Sequence, residues 1–177
     1  MTTSHPVYRP DLIQRGDGLE QRFTANVVAV DDDADVTLVA FGDLVPEPGR
    51  HAKHGTPVHS LILQLPPDDA FDEDLGGPTI EFNQQGNECN LGALRRVELG
   101  RTHFRLVFDP GCGPYAGRVP LAPEIELFED SPDLDEVGLE GVCVLFSVDD
   151  TTHATLRQQL SRFANLCEVE LIEAATP

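Results

Sequence analysis

Apolar residues recur with a period of two in short runs along most of the chain, and with a helical period only once, near its end. Residues 21–30 and 36–41 read as two strands joined by the acidic turn Asp31-Asp32-Asp33-Ala34-Asp35, an opening hairpin. In the first of them Phe23, Ala25, Val27 and Ala29 alternate with Arg22, Thr24 and Asn26, which predicts a single core-facing side. Residues 58–65 form the next strand and stop at Pro66-Pro67. Residues 79–83 follow as a short strand with Ile80 and Phe82 on one face. Residues 93–99 and 103–108 then read as a hairpin across Gly100-Arg101-Thr102, with Leu94, Val97, Leu99, Phe104, Leu106 and Phe108 as its apolar set.

Further on, Gly111-Cys112-Gly113-Pro114 has turn chemistry, residues 124–128 a short strand pattern, and residues 129–140 the look of an acidic connection. Residues 142–148 are the most apolar run and predict a central strand. Asp149, Asp150 and Thr151 then offer N-caps for a helix over 152–167, in which Leu156, Leu160, Phe163 and Cys167 keep the spacing of a buried stripe. Residues 168–172 continue as a last strand or a tail.

Many short hairpin-connected strands followed by one helix predict an α+β fold, mainly antiparallel sheet with a C-terminal amphipathic helix packed on it. The expected division is a flexible arm over 1–18, a single domain over 19–173 and a tail over 174–177. At 177 residues and 40% hydrophobic content, with nine Phe and no Trp, one Phe- and aliphatic-packed core is the expectation. The stretch 42–57, dense in Pro, Gly and charge, reads as a loop, and 68–75 as one acidic helical turn halted by Gly76-Gly77-Pro78.

Charge narrows the range of partners. Thirty-one Asp and Glu face 12 Lys and Arg, for a formal net charge of −19. Such a surface repels nucleic-acid phosphate and anionic lipid, and favours encounter with a basic protein. An acidic housekeeping domain of a salt-tolerant bacterium would account for the acidity equally well. The basic residues are unevenly placed, with Arg95, Arg96, Arg101 and Arg105 gathered on one hairpin, where they would neutralise neighbouring carboxylates. No apolar run is long enough to cross a membrane as a helix, and the first residues have no signal-peptide pattern, so a cytoplasmic location is expected.

Catalytic signatures are sparse. His51, His54 and His59 fall within nine residues, a spacing open to metal binding but also to solvated loop histidines. Cys112, with His103 or His153 as base, is a conceivable nucleophile, and a structural turn is the other reading. These two features carry the alternative of a small metal- or thiol-dependent enzyme. Cys89, Cys112, Cys143 and Cys167 form no C-x-x-C pair and read as free thiols, Cys143 and Cys167 as core residues. Neither a P-loop nor a Rossmann, H-E-x-x-H or G-x-S-x-G pattern occurs, and no cofactor is expected. A strand that runs straight into Asn83-Gln84-Gln85-Gly86-Asn87 suits either hydrogen bonding to a partner or an Asn-stitched turn.

Taken in order, Arg22-Phe23-Thr24-Ala25, residues 36–42, Ser60-Leu61-Ile62-Leu63-Gln64, the strand over 79–83 with its amide-rich turn, and Gly92-Ala93-Leu94 leading into the Arg-bearing hairpin resemble the immunity protein 10 family of bacterial polymorphic toxin systems. The ending is similar too: an apolar strand, two aspartates and a helix finishing near residues 160–163. The resemblance spans about 21–164, with longer stretches at 44–57 and 110–123 and an additional N-terminal arm. It implies a non-catalytic antidote that binds a cognate, basic toxin protein and blocks it by occlusion. The residues expected at such an interface are Glu81, Asn83, Gln85 and Asn87, with the acidic loop residues Asp68, Asp69, Asp72, Asp74, Asp130, Asp133, Asp135 and Glu136.

Overall fold

A computed structural model describes residues 12–15, 18–32, 35–45, 56–67, 77–83, 91–115 and 138–174. Period-two patterning yields eleven strands among these residues. They are β1 (Leu12–Arg15), β2 (Gly18–Thr24), β3 (Val27–Asp32), β4 (Thr37–Val45), β5 (Thr56–Leu65), β6 (Thr79–Phe82), β7 (Leu94–Leu99), β8 (His103–Phe108), β9 (Gly111–Tyr115), β10 (Gly141–Leu145) and β11 (Glu170–Glu173). One helix, α1 (Asp150–Leu166), separates the last two. The fold class is α+β.

The strands make two sheets. The larger has the order β1-β2-β10-β8-β7-β11 and the smaller β3-β4-β5-β6. Pairing is antiparallel except at β2–β10 and β7–β11. As expected, the run around 142–148 supplies a central strand, since β10 lies between β2 and β8 and is buried from Gly141 to Val144.

The stretch 21–30, expected as one strand, is divided between the two sheets. Its chain leaves the larger sheet at Ala25, whose N–H donates to the Leu145 carbonyl at 2.8 Å, and enters the smaller at Asn26, whose N–H donates to the Gly42 carbonyl at 3.0 Å. Such a corner resets the alternation. Phe23 and Ala25 stay in the core, whereas Val27 and Ala29 stand opposite Gly42 and Ala40 on the smaller sheet's outer face. Val28 and Val30 take the inward positions instead.

The N-terminal arm also needs correction. Leu12–Arg15 pairs antiparallel with Gly18–Gln21 and forms the edge of the larger sheet, and Gly18 already belongs to β2. Similarly, Gly111-Cys112-Gly113-Pro114 lies within β9, where Gly113 and Leu139 join at 3.0 Å. The turn sits two residues earlier: Cys112 donates to the Asp109 carbonyl at 3.0 Å, with Pro110 and Gly111 between them. Gly111 has φ +74°, as the third position of a type II turn requires.

The inner faces of both sheets share one hydrophobic cluster. Phe41 of the smaller sheet stacks on Phe104 of the larger at 5.2 Å and tilts against Phe146 at 5.7 Å, so aromatic rings join the layers. Helix α1 closes the cluster beside β7 and β11 with Leu156, Leu160, Phe163 and Ala164. Its first turn is held by Asp149, whose Oδ1 accepts from the Thr152 N–H at 2.7 Å. Cys143 is buried and Cys167 half-buried.

Leu94 and Val97 are both in the core although three residues apart. A bulge between Leu94 and Arg96 absorbs the odd residue and turns Arg95 and Arg96 to solvent. The segments 68–75, 124–128 and 131–137 lie outside the described residues, as do His51, His54 and Cys89.

Candidate functional site

The outer faces of the two sheets differ in how their charges are used. On the larger sheet Glu20, Arg105 and Glu98 lie on neighbouring or next-neighbouring strands, with Arg22 and Arg96 at the flanks. Glu20, only 1% exposed, is paired with Arg105 and lies 3.4 Å from Arg22. Arg105 reaches Glu98 at 3.5 Å, and Arg96 reaches the same carboxylate at 2.6 Å. Gly141 lies under the central pair, where a Cβ would stand 3.2 Å from both Glu20 Oε2 and the Leu106 carbonyl and would press on the pair only slightly. Burial penalises ionised Glu98, but the hydrogen bond from Arg96 and the charge of Arg105 outweigh it and hold the carboxyl below its ordinary range. Arg95 does the same for Asp109 through a side-chain hydrogen bond, and Arg101 pairs with Asp150 at 2.9 Å. All four arginines of the hairpin therefore have carboxylate partners.

The smaller sheet's outer face is different. Its register sets three rows across the strands: Val27, Gly42 and Ser60; Ala29, Ala40, Ile62 and Glu81; Asp31, Leu38, Gln64 and Thr79. The middle of this surface is apolar and small, with Ala29 exposed and Leu38, Ala40 and Ile62 half-exposed. Its charged groups among the described residues are Asp31 and Glu81, at opposite sides, and neither forms an ion pair there. The Ser60 and Thr79 hydroxyls and the Asn83 amide nitrogen are buried without a hydrogen-bond partner.

Of the expected interface residues, Glu81 and Asn83 are described. Glu81 stands half-exposed opposite Ile62. Asn83 has φ 51°, donates its N–H to the Ser60 carbonyl at 2.8 Å, and accepts from the Ser60 N–H through Oδ1 at 3.1 Å. Its side-chain oxygen thus stitches the sheet end, and its amide nitrogen is the donor left over. Gln85, Asn87, Asp68, Asp69, Asp72, Asp74, Asp130, Asp133, Asp135 and Glu136 lie outside the described residues. Residues 27, 29, 31, 38, 40 and 62 are additions that the alternation reading missed. The signal was present in Val27-Val28-Ala29-Val30, a run apolar on both faces.

The candidate chemistry is placed as follows. His59 Nδ1 lies 2.6 Å from Asp43 Oδ2, and its ring stacks on Phe23 at 5.2 Å, so this imidazole is held inside the fold. No group of three or more metal-ligating side chains occurs among the described residues. Cys112 is exposed beyond the far end of β8 from His103, with roughly 17 Å of strand between them. His153 lies at the His103 end of the hairpin, its Nε2 3.0 Å from the Gly100 carbonyl, so neither histidine is beside the thiol. A cleft of about 700 Å³ lies there between α1 and the hairpin turn, but its arginines, Arg101 and Arg157, are paired with Asp150 and Glu173. No described helix is long and apolar enough to cross a membrane.

Comparison with protein-family models, curated proteins and solved structures finds no match to this chain.

Proposed function

We propose that the chain is a non-catalytic immunity protein that binds a cognate toxin domain and neutralises it by occlusion, acting in the cytoplasm. The observation that carries this reading is the smaller sheet's outer face, apolar at its centre and edged by Asp31 and Glu81. A half-exposed apolar centre with a polar rim is the composition of a protein-binding patch. Carboxylates that no described cation neutralises favour a basic partner, and the net charge of −19 extends that preference over the molecule. The resemblance of the sequence to the immunity protein 10 family supplies the biological setting.

Co-expression with the toxin domain encoded beside this gene tests the proposal. Growth restored by the chain, with a stable complex on purification, is the expected result. Absence of both rescue and complex would reject it.

A further inference from the structure

We infer that β3 is an open edge to which an extended, cationic segment of the partner adds as a further strand. This rests on the reading above that the chain works by binding protein. It goes further by naming the element, the mode of binding and the chemistry of the occupant.

Strand β3 is terminal in its sheet, so one side of its backbone pairs with β4 and the other pairs with no described strand. Every second residue of such a strand turns its N–H and C=O outward, ready to accept another chain. Natural edges are blunted by charged side chains, proline, a bulge or extreme shortness. Val27–Val30 has none of these: it belongs to a strand of six residues, contains no charge and no Pro, and keeps an unshifted register with β4, the charges of the strand being gathered at Asp31 and Asp32. An added strand would be flanked by Val28 and Val30 on the inner side and by Val27 and Ala29 on the outer. It would therefore continue both the core layer and the apolar outer face.

Charge selects the occupant. The strand ends in Asp31 and Asp32, both exposed, and Asp35 is exposed just beyond. Asp32 accepts a hydrogen bond from Thr37 of β4, which holds its carboxylate on the paired side of the strand's end and leaves Asp31 the acid nearer an added strand. A second copy would bring its own −19 charge to the same place, so like-charge repulsion works against self-association. An extended segment with β-branched residues along Val27 to Val30 and Lys or Arg beside Asp31 and Asp32 meets both requirements.

Hydrogen exchange on the full chain tests the inference with a synthetic peptide of about eight residues, valine and threonine over the half that meets Val27 to Val30 and lysine over the half that meets Asp31 and Asp32, and a control with glutamate for lysine. The lysine peptide should slow exchange at alternate amides of residues 27–32 by about tenfold or more, and the glutamate peptide should not. Asp31→Lys should abolish that protection. Val28→Pro and Ala29→Pro are made separately, since adjacent residues direct their N–H groups to opposite sides. Whichever leaves the β4 ladder intact should fold and lose the peptide.

The inference is overturned if residues 27–32 exchange alike with and without the lysine peptide. It is also overturned if protection there appears with protein concentration alone, which would mark a second copy as the occupant. Toxin rescue with unprotected β3 in the toxin complex would remove the inference and leave the proposed function standing. Lysine-peptide addition at β3 without toxin rescue would do the reverse.

Discussion

Arg105→Met removes the cation that bridges Glu20 and Glu98 on the larger sheet's outer face. The Glu20 side chain is 1% exposed and that of Arg105 16%, so solvent does little to compensate the carboxylate left behind. Breaking a buried pair from one side costs about 3–5 kcal/mol. Arg22 stays 3.4 Å from Glu20 and is itself partly exposed, which places the expected loss near the lower end, about 3 kcal/mol. In a chain of this size that is a fall of roughly 6–12 °C in Tm. Glu20→Gln combined with Arg105→Met removes the buried carboxylate as well, so the double variant should recover about 2 kcal/mol of the sum of the single losses. Urea unfolding followed by far-ultraviolet circular dichroism, extrapolated linearly, measures all three variants on one scale. A single-variant loss below about 1 kcal/mol, or strict additivity in the double variant, would refute the argument that this pair is buried and coupled.

Three further outcomes follow from other parts of the fold. Asp149→Ala removes the acceptor for the Thr152 N–H, a bond that holds the Asp149 carboxyl below its ordinary range, and should lower the Tm at neutral pH. Because the folded carboxyl is depressed, that contribution is present above its unfolded value and fades as pH falls through the folded one, so variant and parent should converge in acid denaturation curves. Phe41→Ala empties the contact between the two sheets, where Phe104 and Phe146 meet it, and should cost about 3–5 kcal/mol by the same urea assay. Alkylation at pH 8, mapped by peptide mass, should modify exposed Cys112 in the native protein. Buried Cys143, and Cys167, whose thiol burial pushes up to about 12, should react only on unfolding.

Much of the fold was legible because single-faced strands obey a simple alternation. The hairpin of β7 and β8, the central position of β10, and the helix with its Asp149 cap all follow from such patterns. What escaped were the places where the chain changes partner. At Ala25 and Asn26 the backbone passes between sheets with neither Gly nor Pro to mark the bend, so the alternation of Phe23, Ala25, Val27 and Ala29 continues across a boundary that reverses its meaning. The strand Leu12–Arg15 escaped for another reason, since its pattern is short and its support comes from pairing with β2.

The candidate site was half legible. Glu81 was expected at an interface and does face outward, and Asn83 is divided between stitching the sheet end and offering a donor. The apolar centre around Ala40 and Ile62 was hidden because sequence assigns such residues to the core by default. Only the register shows that they share the face opposite Val39, Phe41, Leu61 and Leu63.

The account turns on that face, and Ala40→Arg tests it most directly by placing a bulky cation at its centre while leaving the buried side of β4 unchanged. The measurement is titration calorimetry of the toxin domain encoded beside the gene against the parent chain and the variant, with circular dichroism confirming the fold. A complex with the parent that weakens about 100-fold or more with Ala40→Arg is the predicted result. A complex of equal affinity with both proteins, or none with either, would contradict it.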